Sequence, residues 1–131
     1  MATLPRIDDD GAGPEARAIF ADIREKRNTD YINNFWRHLA NDPALLASVW
    51  ERLQQVMAPG ALDPLVKEMI YVAVSTANGC DYCIASHTAA AKARGMTEAQ
   101  HGELLAVIGM ASQTNALARA LAVEVDERFR L

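Results

Sequence analysis

At 131 residues the chain is long enough to form one domain that buries roughly two-thirds of its unfolded surface without a metal or disulfide staple. Half of it is hydrophobic but only 6% is aromatic, and Ala, Leu, Val and Met dominate the apolar set, a mixture that favours helix over sheet. The net charge of −4 disfavours a nucleic-acid partner, because phosphate binding needs clustered, uncompensated Lys and Arg, and leaves a small molecule as the expected substrate.

The N-terminus, from Met1 to Asp10, has no apolar run between a basic start and a small-residue cleavage site, and no stretch of the chain is apolar for long enough to cross a bilayer. A cytoplasmic protein with no membrane contact is therefore predicted, in a compartment where a surviving disulfide is usually catalytic and transient. Residues 1–13 read as a flexible segment, and 14–131 as a single all-helical domain without repeats, low-complexity tracts or linkers.

Helix punctuation recurs along the chain. Pro14 opens a first helix carrying Ala16, Ile19, Phe20 and Ile23 inward and ending near Arg27 and Asn28, with Arg17, Arg24 and Glu25 in water. A short helix over Tyr31 to Leu39 follows, and Asp42-Pro43 supplies the cap and first position of a third, whose Leu45, Leu46, Val49, Leu53 and Val56 are apolar. Pro59-Gly60 stops it.

Asp63-Pro64 repeats the cap-and-proline start. The segment from Leu65 to Ala77 is apolar on almost every side apart from Lys67 and Glu68, which predicts a central helix. Asn78-Gly79 ends it in a left-handed turn, and Cys80 opens the next helix, which runs to Arg94 before Gly95. Thr97 with Gln100 forms a capping box for a helix over Glu98 to Ile108. Gly109 marks a break, and a last helix runs from Ser112 to Phe129. The strand-forming run Met69 to Val74 just before a CxxC helix also fits a thioredoxin-like chain. That fold needs a later proline against the cysteines, and the last proline here is Pro64.

The chemistry concentrates in Cys80-Asp81-Tyr82-Cys83, which holds both cysteines of the chain, with His87 after it and Glu68 before it. On a helix, Cys80, Cys83 and His87 share one face, which sets a base beside a reactive thiol. On one continuous helix Glu68 and Cys80 would lie about 18 Å apart. If the chain instead reverses at Asn78-Gly79 and the two helices pack antiparallel, Glu68 comes level with His87 and can orient its imidazole. The imidazole then takes the proton of Cys83, leaving a nucleophilic thiolate. Cys80 at the helix start gains from free backbone N–H groups and the positive dipole end, while Asp81 opposes that effect. The same residues also admit inert core thiols on a redox-inactive binding protein, and a zinc site built from Cys80, Cys83, His87 and Glu68. His38 and His101 lack partners at useful spacing, and Trp36, Trp50 and the methionines sit at core spacing.

Glu, eleven residues, then C-x-x-C-x-x-x-H resembles the hallmark of the carboxymuconolactone decarboxylase superfamily in its alkylhydroperoxidase D-like branch. The likeness spans about Leu62 to Leu121 and includes the tail from Asn115 to Leu121. The resemblance implies an all-α alkylhydroperoxidase D-like bundle with a central antiparallel helix pair carrying the CxxC motif, assembled as a trimer or hexamer. It further implies reduction of hydrogen peroxide or organic hydroperoxides, with Cys83 as peroxidatic thiol, Cys80 as resolving thiol and His87 with Glu68 as proton relay. No cofactor or metal is implied; the electron donor would be a thiol or a lipoyl-type partner. Tyr82 stands where that branch carries a histidine thought to assist the relay, and the paired cysteines argue against the decarboxylase that names the superfamily.

Overall fold

The computed structural model describes residues 1–130 and is all-helical, with no strand among the described residues. Six α-helices follow in order: α1 (Pro14–Arg27), α2 (Asn34–Leu39), α3 (Pro43–Met57), α4 (Pro64–Asn78), α5 (Asp81–Ala93) and α6 (Glu98–Ala120). Short 3-10 turns cover Asp9–Gly11 and Glu127–Phe129. Where the sequence suggests a single domain over 14–131, the chain divides into two compact units, the first ending at Ala58 and the second beginning at Pro59.

The first unit is built on α1, α2 and α3. Phe20, Ile23, Ile32 and Leu46 are fully buried, and Trp36 meets Trp50 edge to face at 5.3 Å. The indole N–H of Trp50 donates to Asp22 Oδ2 at 2.7 Å, so the one polar atom of that ring is satisfied as the ring is buried. Tyr31 to Asn33, which the sequence places in α2, precede the helix as extended chain ending in Asn33 with ψ 146°. Within 1–13, Asp9 pairs with Arg37 at 2.9 Å and Arg24 at 2.7 Å, the Ile7 N–H donates to the Arg37 carbonyl, and Asn41 donates to the Pro5 carbonyl.

In the second unit α4 and α5 pack antiparallel, with α6 also against α4. Asp63 caps α4 by accepting from the Leu65 N–H, with Pro64 at its first position. The reversal is made at Gly79, in the left-handed region at φ 69°. There the Gly79 N–H donates to the Thr76 carbonyl and the Cys80 N–H to that of Ser75, which satisfies carbonyls the helix end leaves free. Gly95, at φ 97°, closes α5 through the same pair of bonds, Gly95 N–H to Lys92 and Met96 N–H to Ala91. The capping box of Thr97 with Gln100 starts α6.

Three sequence expectations for the second unit are corrected. The predicted break at Gly109 is absent, and α6 runs through Gly102 and Gly109 to Ala120. A glycine within a helix costs only about 1 kcal/mol relative to alanine, too little to break one that its neighbours support. The helix predicted as far as Phe129 stops instead at Ala120, because Ala122 turns left-handed at φ 50° and the Val123 N–H folds back onto the Ala118 carbonyl. Nor is α4 buried on every side: Glu68, Val72 and Ser75 are covered, while Val66, Ile70 and Val74 stand in the open. Two helices pack on it within its unit, which cannot enclose an all-round apolar surface.

Candidate active site

Cys80, Cys83 and His87 lie along the start and first two turns of α5, and Glu68 reaches His87 from the second turn of α4. Cys80 is the N-cap of α5: its sulfur accepts from the Cys83 backbone N–H at 3.2 Å, the place an oxygen side chain takes in most caps. Cys80 and Cys83 are joined as a disulfide. Both cysteines are half-buried, so the pair is neither sealed in the core nor fully open to water. Asp81 and Tyr82, between them, are exposed.

Glu68 is 5% exposed, which is unusual for a carboxylate and makes its partners decisive. Its Oε2 lies 2.7 Å from His87 Nδ1, and its Oε1 lies 3.6 Å from Arg94 Nε. Reversal at Gly79 brings this about, since Glu68 lies eleven residues before that glycine and His87 eight after it. With Glu68 ionised, Nδ1–H donates and the ring's lone pair sits on Nε2. Tyr71, three residues beyond Glu68 on α4, stacks on the imidazole with centroids 3.5 Å apart and planes at 18°. The ring is thus fixed at its edge by the carboxylate and across its face by the phenol.

The four residues predicted from sequence fall at one locus. Two that share it were not singled out, Tyr71 and Arg94. Both carried a signal: Tyr71 lies at the i+3 position from Glu68, and Arg94 lies seven residues beyond His87, so each repeats the helical period of a residue that was identified. Among the described residues no three His, Cys, Asp or Glu side chains are grouped to hold a metal ion. His38 is engaged elsewhere, its Nδ1 3.0 Å from the Leu4 carbonyl oxygen.

Such an arrangement can do two things. Opening the disulfide would set a Cys83 thiol one helical turn from an imidazole whose Nδ1 is engaged by Glu68, and closing it would restore the bond between the two sulfurs. No helix of the described residues is long and apolar enough to cross a membrane.

Residues 43–124 match the model of the carboxymuconolactone decarboxylase family. The chain is 36% identical over 98 residues to the alkyl hydroperoxide reductase AhpD of Solibacter usitatus, a match covering 72% of this chain and 54% of that protein. It is 34% identical over 65 residues to an uncharacterized protein of Cupriavidus necator, covering 50% and 58%. The chain therefore spans little more than half the length of the curated relatives it matches. The crystal structure of the alkylhydroperoxidase AhpD core from Rhodospirillum rubrum superposes with a TM-score of 0.96 at 58% identity, over 100% of this chain and 98% of that one. With the fold, the motif and these matches in agreement, the chain belongs to the carboxymuconolactone decarboxylase family, in its alkylhydroperoxidase D-like branch.

Proposed function

We propose that the protein is a thiol-dependent peroxidase, or disulfide oxidoreductase, that reduces hydrogen peroxide or organic hydroperoxides through Cys83 and Cys80. The observation that carries this reading is a cysteine pair at the start of α5 with a histidine one turn on, its Nδ1 held by a buried carboxylate at 2.7 Å. Names of similar proteins support the same chemistry, one being called an alkyl hydroperoxide reductase and another an alkylhydroperoxidase.

In the reduced protein His87 Nε2 takes the proton of the Cys83 thiol, and the positive end of α5 favours the thiolate that results. The thiolate attacks one oxygen of the hydroperoxide and the O–O bond breaks. Sulfur is oxidised to a sulfenic acid, and the leaving alkoxide takes the proton back from His87 as an alcohol. The Cys80 sulfur, as thiolate, then attacks the sulfenic sulfur, closing the disulfide and releasing hydroxide, which takes up the Cys80 proton to give water. Two thiols and one hydroperoxide become one disulfide, one alcohol and one water. Return to the dithiol takes two electrons from a thiol or lipoyl-type donor, in a cytoplasmic setting that keeps thiols reduced.

A homo-oligomer is part of the same proposal. Val66, Ile70 and Val74 recur every fourth residue on α4, and Leu105, Val107, Met110 and Leu117 of α6 are more than half exposed, an apolar surface of the kind that protein contacts cover.

The test mixes reduced protein with cumene hydroperoxide and counts free thiols. Loss of two thiols per chain, blocked by Cys83→Ser, is expected. No loss would overturn the proposal in favour of a redox-inert binding protein of the same fold.

A further inference from the structure

Glu68, Val72 and Ser75 are the buried residues of α4, and the first reaches His87. Ser75 lies seven residues beyond Glu68. At about 100° per residue the two side chains fall within roughly 20° of arc, so Ser75 shares the face that Glu68 turns toward α5. Its level follows from the antiparallel pairing, in which Tyr71 stacks on His87. One turn onward along α4 is Ser75 and one turn back along α5 is Cys83, so Ser75 comes level with Cys83 as Tyr71 does with His87. The Ser75 carbonyl accepts from the Cys80 N–H at 3.0 Å, which ties its main chain to the start of the cysteine motif.

The hydroxyl of Ser75 is not used by the fold. Ser48, Thr76, Ser86, Ser112 and Thr114 each donate to a carbonyl three or four residues back on the same helix. Ser75 does not: it is 5% exposed, and its side chain makes no hydrogen bond among the described residues. No fully sealed side-chain oxygen or nitrogen among these residues lacks a partner, so the little surface that Ser75 keeps includes its hydroxyl oxygen. The group therefore opens out of the buried face at the level of Cys83. A nearly buried hydroxyl without a partner costs free energy that an alanine would not, and residues at odds with stability in this way belong to functional sites.

We propose that Ser75 is a catalytic residue: its hydroxyl donates a hydrogen bond to the oxygen that Cys83 takes from the hydroperoxide. The role rests on the peroxidase reading. The Cys83 thiolate supplies the electron pair of the new S–O bond, the O–O bond breaks, and its pair leaves on the alkoxide. Ser75 keeps its proton throughout and turns only its O–H dipole to the transferred oxygen. When Cys80 attacks the sulfenic sulfur, that oxygen departs with the S–O pair as hydroxide, and the same hydroxyl stabilises the charge as it forms.

The test compares the reduced full chain with its Ser75→Ala variant in three measurements. Cumene hydroperoxide removes two thiols per chain from both, and from Ser75→Ala about 10–100-fold more slowly, the range that a hydrogen bond to a charged group commands. Iodoacetamide, which transfers no oxygen, alkylates Cys83 at the same rate in both, as located by peptide mapping. The urea midpoint of Ser75→Ala is equal to that of the wild type or higher, as the loss of an unpaired hydroxyl requires. Equal rates of oxidation in the two proteins overturn the assignment. So does alkylation slowed by the same factor as oxidation, which would put the effect of the hydroxyl on the sulfur, and so does a lower midpoint, which would give it a bond within the fold. A wild type that keeps its thiols in cumene hydroperoxide overturns the peroxidase reading and this role with it.

Discussion

The sulfur of Cys80 accepts a hydrogen bond from the Cys83 backbone N–H at 3.2 Å, so one side chain is both the cap of α5 and half of the disulfide. Removing it by different substitutions therefore has different costs. Serine supplies a stronger capping oxygen and alanine supplies none. Under reducing conditions Cys80→Ala is expected to lose about 0.5–2 kcal/mol in urea unfolding, whereas Cys80→Ser keeps or gains stability. Equal stabilities for the two variants would show that the sulfur contributes nothing as a cap.

Tyr71 stacks on His87 at 3.5 Å and holds the ring plane that Glu68 holds only at one edge. Tyr71→Phe keeps the face and Tyr71→Leu removes it. A stacked aromatic pair is worth about 0.5–1.5 kcal/mol, so Tyr71→Leu is expected to slow peroxide-driven thiol loss by roughly 2–10-fold while Tyr71→Phe stays near the wild-type rate. Steady-state kinetics with matched thermal melts separates this from a loss of folded protein. A Tyr71→Phe variant as slow as Tyr71→Leu would move the role from the ring face to the hydroxyl.

Ala122 is a non-glycine residue in the left-handed region, at φ 50°, where it ends α6 through the bonds Ala122 N–H to Arg119 and Val123 N–H to Ala118. Alanine is strained in that conformation and glycine is not. Ala122→Gly is therefore expected to stabilise the chain by about 1 kcal/mol, seen as a higher urea midpoint at unchanged slope. A lower midpoint would mean that the turn opens in solution.

That turn also explains what the sequence could and could not disclose. Asp42-Pro43, Asp63-Pro64 and Asn78-Gly79 announce their helix boundaries because each residue type is fitted to the backbone it adopts, and the helices begin and end there. Ala122 makes the same kind of turn without glycine, so nothing in its identity marks the end of α6, and the sequence reads as helix to Phe129. Gly109 misleads in the opposite direction: it is a breaker by composition, held in the helix by its neighbours. The site was legible where its period lies on one helix, as with Cys80, Cys83 and His87, and where one reversal sufficed to place Glu68. The places of Tyr71 and Arg94 are not legible in the sequence, because their contacts depend on how α4 and α5 are set against one another.

Charge pairs in the first unit fix the direction of its acid response. The Arg37 guanidinium, aided by Arg24, holds the Asp9 carboxyl below its ordinary value of 3.8 against the effect of burial. The Trp50 indole N–H, with Lys26, does the same for Asp22. A carboxyl whose value is lowered by folding stabilises the protein above its unfolded value and loses that contribution as pH falls through the folded one. Asp9 is about half exposed, so each pair is worth only about 0.2–1 kcal/mol after solvent screening. Asp9→Asn is expected to be less stable than wild type at pH 7, with the gap closing below about pH 4. Urea titrations at both pH values check this, and a gap that widens in acid would contradict the sign.

Val66, Ile70 and Val74 form a stripe on α4 at 42%, 47% and 53% exposure, and on α6 Val107 and Met110 reach 66% and 60%. Monomeric proteins seldom leave so continuous an apolar surface to water, and charged side chains are the usual device for keeping a helix face unpaired. Sedimentation at micromolar concentration is accordingly expected to give a mass that is a multiple of 14.3 kDa, three or six chains by the proposed assembly. Ile70→Lys sets a charge in the middle of the stripe, whose desolvation a close contact cannot tolerate, and should shift the mass toward the single chain. Because Ile70 is 47% exposed, the substitution leaves the core intact, and circular dichroism should remain that of a helical protein. A wild-type protein that sediments as a monomer would instead require the stripe to meet a different molecule.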